Sequence, residues 1–365
     1  MSLTKEPRIK AFDSLRGLAA LGVLIFHYAG HFHARPLDSL LAPIYDHGGY
    51  FVDFFFVLSG VVLARAYTPV GGSVSLPTLI KLRIARLFPL HLITLLVVVV
   101  LQCFLVYILK YDCPFIFEFG FDIRHFIINL FLLSGIYMDN ALVFNGPSWS
   151  VSVELWVNLS FFMLLGLPES RRARAFLYIL IFSLSLQRLC SSSISSAVSL
   201  GNFLPRGLIG FYFGVLTHGF IQVWFCFARP SYLYDFLFVA GMLCTYFIMA
   251  DSFDISSLPG VDFLLPVLVF PMILIATVGG KYCSLFLTLE ALVWLGRISF
   301  SLYLVHFPIQ LAIHVISVWS NYTPDWHSAV NLVVFIFGVV LIAAYTRRYI
   351  EIPGNIAAKR FFGVS

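Results

Sequence analysis

The run from Leu87 to Leu109, LFPLHLITLLVVVVLQCFLVYIL, contains no Asp, Glu, Lys or Arg. Wound as an α-helix it extends about 33 Å, roughly the thickness of a bilayer's hydrocarbon core. A backbone at that depth has no water to bond, so only helices or a closed barrel can cross. Barrel strands are short and alternate in polarity, whereas this chain repeats long continuous apolar runs. The pattern predicts an all-α integral membrane protein of about ten transmembrane helices, at roughly 18–32, 49–66, 87–109, 149–167, 175–190, 203–221, 233–250, 263–279, 298–318 and 329–346. Composition agrees, since only 11% of residues are charged, against about 25% in a soluble domain.

Basic residues fix the expected orientation. With the N-terminus in the cytoplasm, eighteen of the 23 Lys and Arg fall on the inner side and only Arg35, Lys110, Arg124, Arg188 and Arg206 fall outside. The positive-inside rule therefore places both termini in the cytoplasm. Residues 126–138 are apolar for too short a stretch to cross and predict a re-entrant or interfacial segment. Residues 281–295 are expected on the cytoplasmic surface. The whole of 1–365 reads as one transmembrane domain, with its core at about 10–350 and no appended soluble domain. The first segment lacks the small-residue cleavage site of a signal peptide. The formal charge of +5 does not point to nucleic acid, because the basic residues sit at helix ends. The six cysteines show no metal or redox spacing, and a Cys113–Cys190 bridge is a minor alternative to free thiols.

Within the first segment, Arg16 and His27 are separated by about three helical turns and share one face, about 16 Å apart along the axis. Ionisable groups inside a bilayer are costly and mark functional paths, although an interface anchor and a core histidine remain the plainer alternative. His27 and His31 stand one turn apart with His33 following, but no third ligand has motif spacing, so no metal is expected.

Several stretches carry a family resemblance. They are Phe12-Asp13-Ser14-Leu15-Arg16-Gly17 with His27 beyond it, Gly48-Gly49 to Ser59-Gly60, Arg83-Ile84-Ala85-Arg86, Trp149-Ser150-Val151-Ser152-Val153-Glu154, and Ser299-Phe300-Ser301-Leu302-Tyr303-Leu304-Val305-His306. In this order they resemble the motifs of the membrane acyltransferase-3 family, whose members add acetyl or other small acyl groups to polysaccharides, lipopolysaccharide and Nod factors. Two positions depart from the pattern: Leu155 stands where a second acid is common, and Phe300 where tyrosine is common.

The resemblance implies a membrane O-acyltransferase that moves an acyl group, acetyl first, from cytoplasmic acetyl-CoA to a hydroxyl of a glycan or glycolipid, in a bacterial inner membrane. Such a reaction needs a base for the hydroxyl, a grip on the donor and donors for the oxyanion. His27 is the expected base, with a covalent acyl-histidine as the second route. Glu154 is expected to hold a histidine or accept a hydroxyl. Arg16, Arg83 and Arg86 form an expected basic rim for the coenzyme's phosphates, with Tyr303 and His306 along the donor channel. Asp13, Asp53, Ser59, Trp149 and Ser152 are expected to support the substrates or the site. A transporter or flippase with an intramembrane polar path is the rival reading, and the absence of inverted repeats weighs against it.

Overall fold

A glycine-mediated seam organises the helices around the first segment. The computed structural model describes residues 8–68, 74–111, 122–136, 144–191, 203–225, 231–251 and 263–364. Among these, the helices are α1 (Lys10–Phe32), α2 (Asp38–His47), α3 (Tyr50–Tyr67), α4 (Leu76–Cys103), α5 (Ile123–Leu130), α6 (Ser148–Leu165) and α7 (Glu169–Ser191). They continue as α8 (Phe203–Phe225), α9 (Tyr232–Met249), α10 (Phe270–Gly279), α11 (Tyr282–Leu287), α12 (Glu290–Ser320), α13 (Ala329–Thr346) and α14 (Ile352–Phe362). No strand occurs among the described residues. Wider π-helical turns extend α4 (Phe104–Ile108), lead into α10 (Leu265–Val269) and join α13 to α14 (Arg347–Glu351).

Among the described residues, seven helical stretches are long and apolar enough to cross a membrane: Tyr50–Tyr67, Leu76–Ile108, Ser148–Leu165, Phe203–Trp224, Tyr232–Met249, Glu290–Ser320 and Ala329–Phe362. The remaining three of the ten expected spans fall short of that measure. The helix α1 carries Lys10, Asp13, Arg16 and His27, and α7 carries Arg171, Arg172 and Arg174. The third, Leu265–Gly279, is apolar but short. The chain is thus a multi-pass helical membrane protein whose first helix is unusually polar. Large apolar side chains such as Val100, Phe236, Val333 and Phe337 are exposed on the outer surface, as a protein dissolved in hydrocarbon requires.

Along the seam, α1 and α12 touch backbone to backbone. A side chain at Gly17 would run into the backbone of Leu295 and Gly296, and one at Gly296 into the carbonyl of Asp13. Ten residues further on in each helix, the rings of His27 and His306 meet. The two helices therefore run in the same direction, in register. Small residues allow this approach, which dispersion and interhelical hydrogen bonds stabilise in a membrane. The Ser14 hydroxyl adds one such bond, to the carbonyl of Leu287 on α11 at 2.5 Å.

A second parallel pair, α3 and α8, closes in the same way. Side chains at Gly60 and Gly214 would strike the carbonyls of Phe211 and Val57 respectively. At the other end of this pair, Asp53 accepts two bonds from Arg206, at 2.5 and 2.7 Å, and Arg206 also donates to the Gly49 carbonyl at 3.1 Å. Asp53 is only 2% exposed. Removing one partner of such a pair leaves an uncompensated charge, so Asp53→Ala should cost about 3–5 kcal/mol. A lowered thermal midpoint of the purified protein in detergent checks this expectation.

Three local expectations meet the structure differently. The expected interfacial segment 126–138 begins inside the eight-residue α5, which is too short to cross; residues 137 and 138 lie outside the described residues. Asp122 caps α5 by accepting from the His125 backbone N–H at 2.9 Å and pairing with its ring at 2.8 Å. These bonds, the backbone one foremost, hold the Asp122 carboxyl below its usual range. The helix α4 begins at Leu76 rather than 87, with Pro77 in its first turn, where the missing N–H costs no helical bond. Residues 281–295 are broken by a short turn. They divide into α11, tied by its first N–H groups to Asp235, and the beginning of α12 at Glu290. The Cys113–Cys190 alternative lies outside the described residues; Cys103, Cys244 and Cys283 are free thiols.

Candidate active site

A cavity of about 710 Å³ of atom-free space, partly open, lies where α1, α3, α4, α6 and α12 converge. Its polar lining is Arg16, Arg83, Arg86, Glu154, Ser59, Ser150, Ser299 and Tyr303; Phe55, Phe56, Val62 and Phe300 contribute apolar wall. Sequence motifs separated by almost the whole chain therefore line one space.

Each arginine is placed by its own element. Arg16 is half-buried and kept in place by Asp13 at 3.6 Å, while Asp13 also bonds Arg8 at 2.7 Å. Arg83 is buried, its guanidinium lying over the rings of Tyr67 and Phe162 at 5.8 and 5.7 Å. Arg86, one turn further along α4, is exposed at the cavity's open side. Arg83 is thus enclosed by α3 and α6. Three guanidinium groups face one carboxylate, so the cavity holds an excess of positive charge in surroundings that screen it poorly. An anion with several charges is the ligand this arrangement fits.

Glu154 is the carboxylate. It is expected from sequence to hold a histidine or accept a hydroxyl, and it lines the arginine cavity. Tyr303 also lines the cavity, and its hydroxyl is fixed by Ser150 Oγ at 2.7 Å and by donating to the Pro147 carbonyl at 3.0 Å. Ser150 was present in the quoted motif without being singled out; its bond to Tyr303 across 153 positions of chain is what sequence could not supply.

His27 and His306 do not belong to the lining. They face each other across the α1–α12 seam, ring centroids 5.0 Å apart. His306 is fully buried, and its ring lies 5.7 Å from that of Tyr303. The row thus runs from the cavity wall through Tyr303 and His306 to His27. Further along the same seam, His31 lies 6.3 Å from His314. Among the described residues no group of three His, Cys, Asp or Glu is arranged to hold a metal ion.

The supporting residues divide. Ser59 lines the cavity, next to the Gly60 contact that positions it. Asp53 forms the ion pair with Arg206, a partner that sequence reading had left at an outer helix end. Trp149 stacks on Phe203 at 4.1 Å. Ser152 donates to the Leu132 carbonyl at 2.5 Å and accepts from the Gly135 N–H at 3.0 Å. Trp149 and Ser152 therefore fasten α6 to its neighbours, away from the cavity.

With this geometry in place, similarity to known proteins decides the class. The acyltransferase-3 domain family, described as "Acyltransferase domain", matches residues 9–348. The chain belongs to the acyltransferase-3 family. Among similar proteins is "Acyltransferase MdmB" of Streptomyces mycarofaciens, 26% identical over 339 residues that cover 83% of this chain and 80% of that protein. Another is "Protein 2 in picA locus" of Rhizobium radiobacter, 31% identical over 175 residues, 43% of this chain and 83% of that protein. No solved structure matches. This acyltransferase-3 member is therefore a multi-pass membrane enzyme that transfers acyl groups, and the transporter alternative is not favoured.

Proposed function

We propose that this enzyme takes an acyl group, acetyl in the first instance, from cytoplasmic acyl-CoA and transfers it to a hydroxyl of a polysaccharide or glycolipid. The observation that carries the donor is the convergence of Arg16, Arg83 and Arg86 on one cavity. Three cations in a poorly solvated space repel one another until a polyanion enters, and coenzyme A presents several phosphate charges. The span from Arg16 to His27, about 16 Å along α1, suits a pantetheine arm. In this reading the thioester passes Tyr303 toward the histidines, and His27 removes the acceptor's hydroxyl proton. Glu154 and Ser59 face the bound donor. The bacterial sources of both named relatives support a bacterial inner membrane as the location.

Calorimetric titration of the detergent-purified protein with acetyl-CoA tests the donor site. Saturable binding weakened by salt is expected; no binding would overturn the reading. Arg83→Lys should weaken donor binding by about 10- to 100-fold, since a point charge replaces a planar fork and loses one charge-assisted hydrogen bond. The same titration checks it.

A further inference from the structure

A buried histidine ordinarily spends at least one ring nitrogen on a carbonyl or carboxylate, because an unmet donor or acceptor costs free energy. His91 does so, bonding the Asn129 carbonyl at 2.8 Å. His306 does not. It is 0% exposed, and neither Nδ1 nor Nε2 makes a hydrogen bond. The carbonyls of Leu302 and Tyr303, one turn back on its own helix, stand beside it without a bond of ordinary geometry. It has two ring contacts: His27 at 5.0 Å, and Tyr303, which lines the arginine cavity, at 5.7 Å. The Tyr303 hydroxyl is already committed to Ser150 and Pro147. An imidazole with both nitrogens free, set between a base and a donor cavity, can accept a proton on one nitrogen while giving one from the other.

We infer that His306 is a proton relay that returns to the departing sulfur of the donor thioester the proton His27 removes from the acceptor hydroxyl. This rests on the donor and base assignments proposed above. The step balances: the acceptor oxygen bonds the acyl carbon and its proton goes to His27. The carbon–sulfur bond breaks, and the sulfur takes a proton from His306. Transfer of a proton from His27 to His306, directly or through one water, restores both rings. No proton is gained or lost overall.

The test uses the full-length protein in detergent, glycerol as the hydroxyl probe, and two donors: acetyl-CoA, and the acetyl thioester of an acidic aromatic thiol whose sulfur leaves without needing a proton. The variants are His306→Gln and His306→Phe, the second removing every polar atom so that no unmet group can unfold the site. With acetyl-CoA, thiol release per folded molecule should fall by about 100-fold or more, the scale of a lost acid. With the aromatic thioester it should return to within a few fold of the unmodified protein. Equal losses on both donors would show a positioning role and overturn the relay, as would unchanged release from acetyl-CoA. Thiol release absent from the unmodified protein while acetyl-CoA still binds would overturn the relay and leave the donor site standing. Absence of binding would overturn the donor reading itself.

Discussion

Replacing His27 with alanine should lower acyl transfer per folded molecule by about 10²–10⁴-fold, the range seen when a positioned base is removed. Donor affinity should change little, because His27 lies outside the cavity that Arg16, Arg83 and Arg86 line. Neither should the fold suffer, because a small apolar residue is well tolerated in a membrane helix. A structural histidine would behave differently, with less protein accumulating and activity falling in proportion. Specific activity, corrected for folded protein by size-exclusion chromatography and paired with donor titration, separates these outcomes. Normal transfer by the variant would remove His27 from the chemistry and direct attention to Glu154.

The second large effect lies at a residue with no functional atoms. Gly296→Ala should reduce the folded fraction sharply, because the added methyl meets the Asp13 carbonyl rather than a side chain that can turn away. Overpacking typically costs about 1–3 kcal/mol, occasionally more, and here relief requires the α1–α12 seam to open. Opening it would also part His27 from His306, so any protein that remains folded should transfer slowly. Gly338→Ala is the matched control, since nothing lies within 4 Å of a side chain there. Thermal melts of both variants in the same detergent check the pair.

What the sequence revealed and what it withheld follow from the physics each inference used. Hydrocarbon solvent leaves a strong imprint, so apolar runs such as 87–109 and 329–346 announced helices. Motif order identified Arg16, Arg83, Arg86, Glu154 and Tyr303, which meet in one cavity. A helical period names no partner for Glu154, which the cavity joins to the arginines. Pairing across distant helices left no local trace either. Asp53 and Arg206, or Ser150 and Tyr303, are joined across 153 positions by packing that no periodicity encodes. Gly17 was visible within its motif, but only the backbone contact shows that it fits against Gly296.

The parallel seam has a consequence for how the enzyme is made. Its two strands of contact lie near opposite ends of the chain; the bond from Ser14 to Leu287 alone closes a loop of 273 positions. During synthesis α1 enters the bilayer long before α12, carrying Arg16 and His27 with no partner helix to pack against. It must wait there until α12 has left the ribosome. Contacts so distant in sequence form late and slowly. A nascent or truncated chain ending before α12 therefore has no histidine pair, and the capacity to spend an activated acyl donor arises only after α12 has been made.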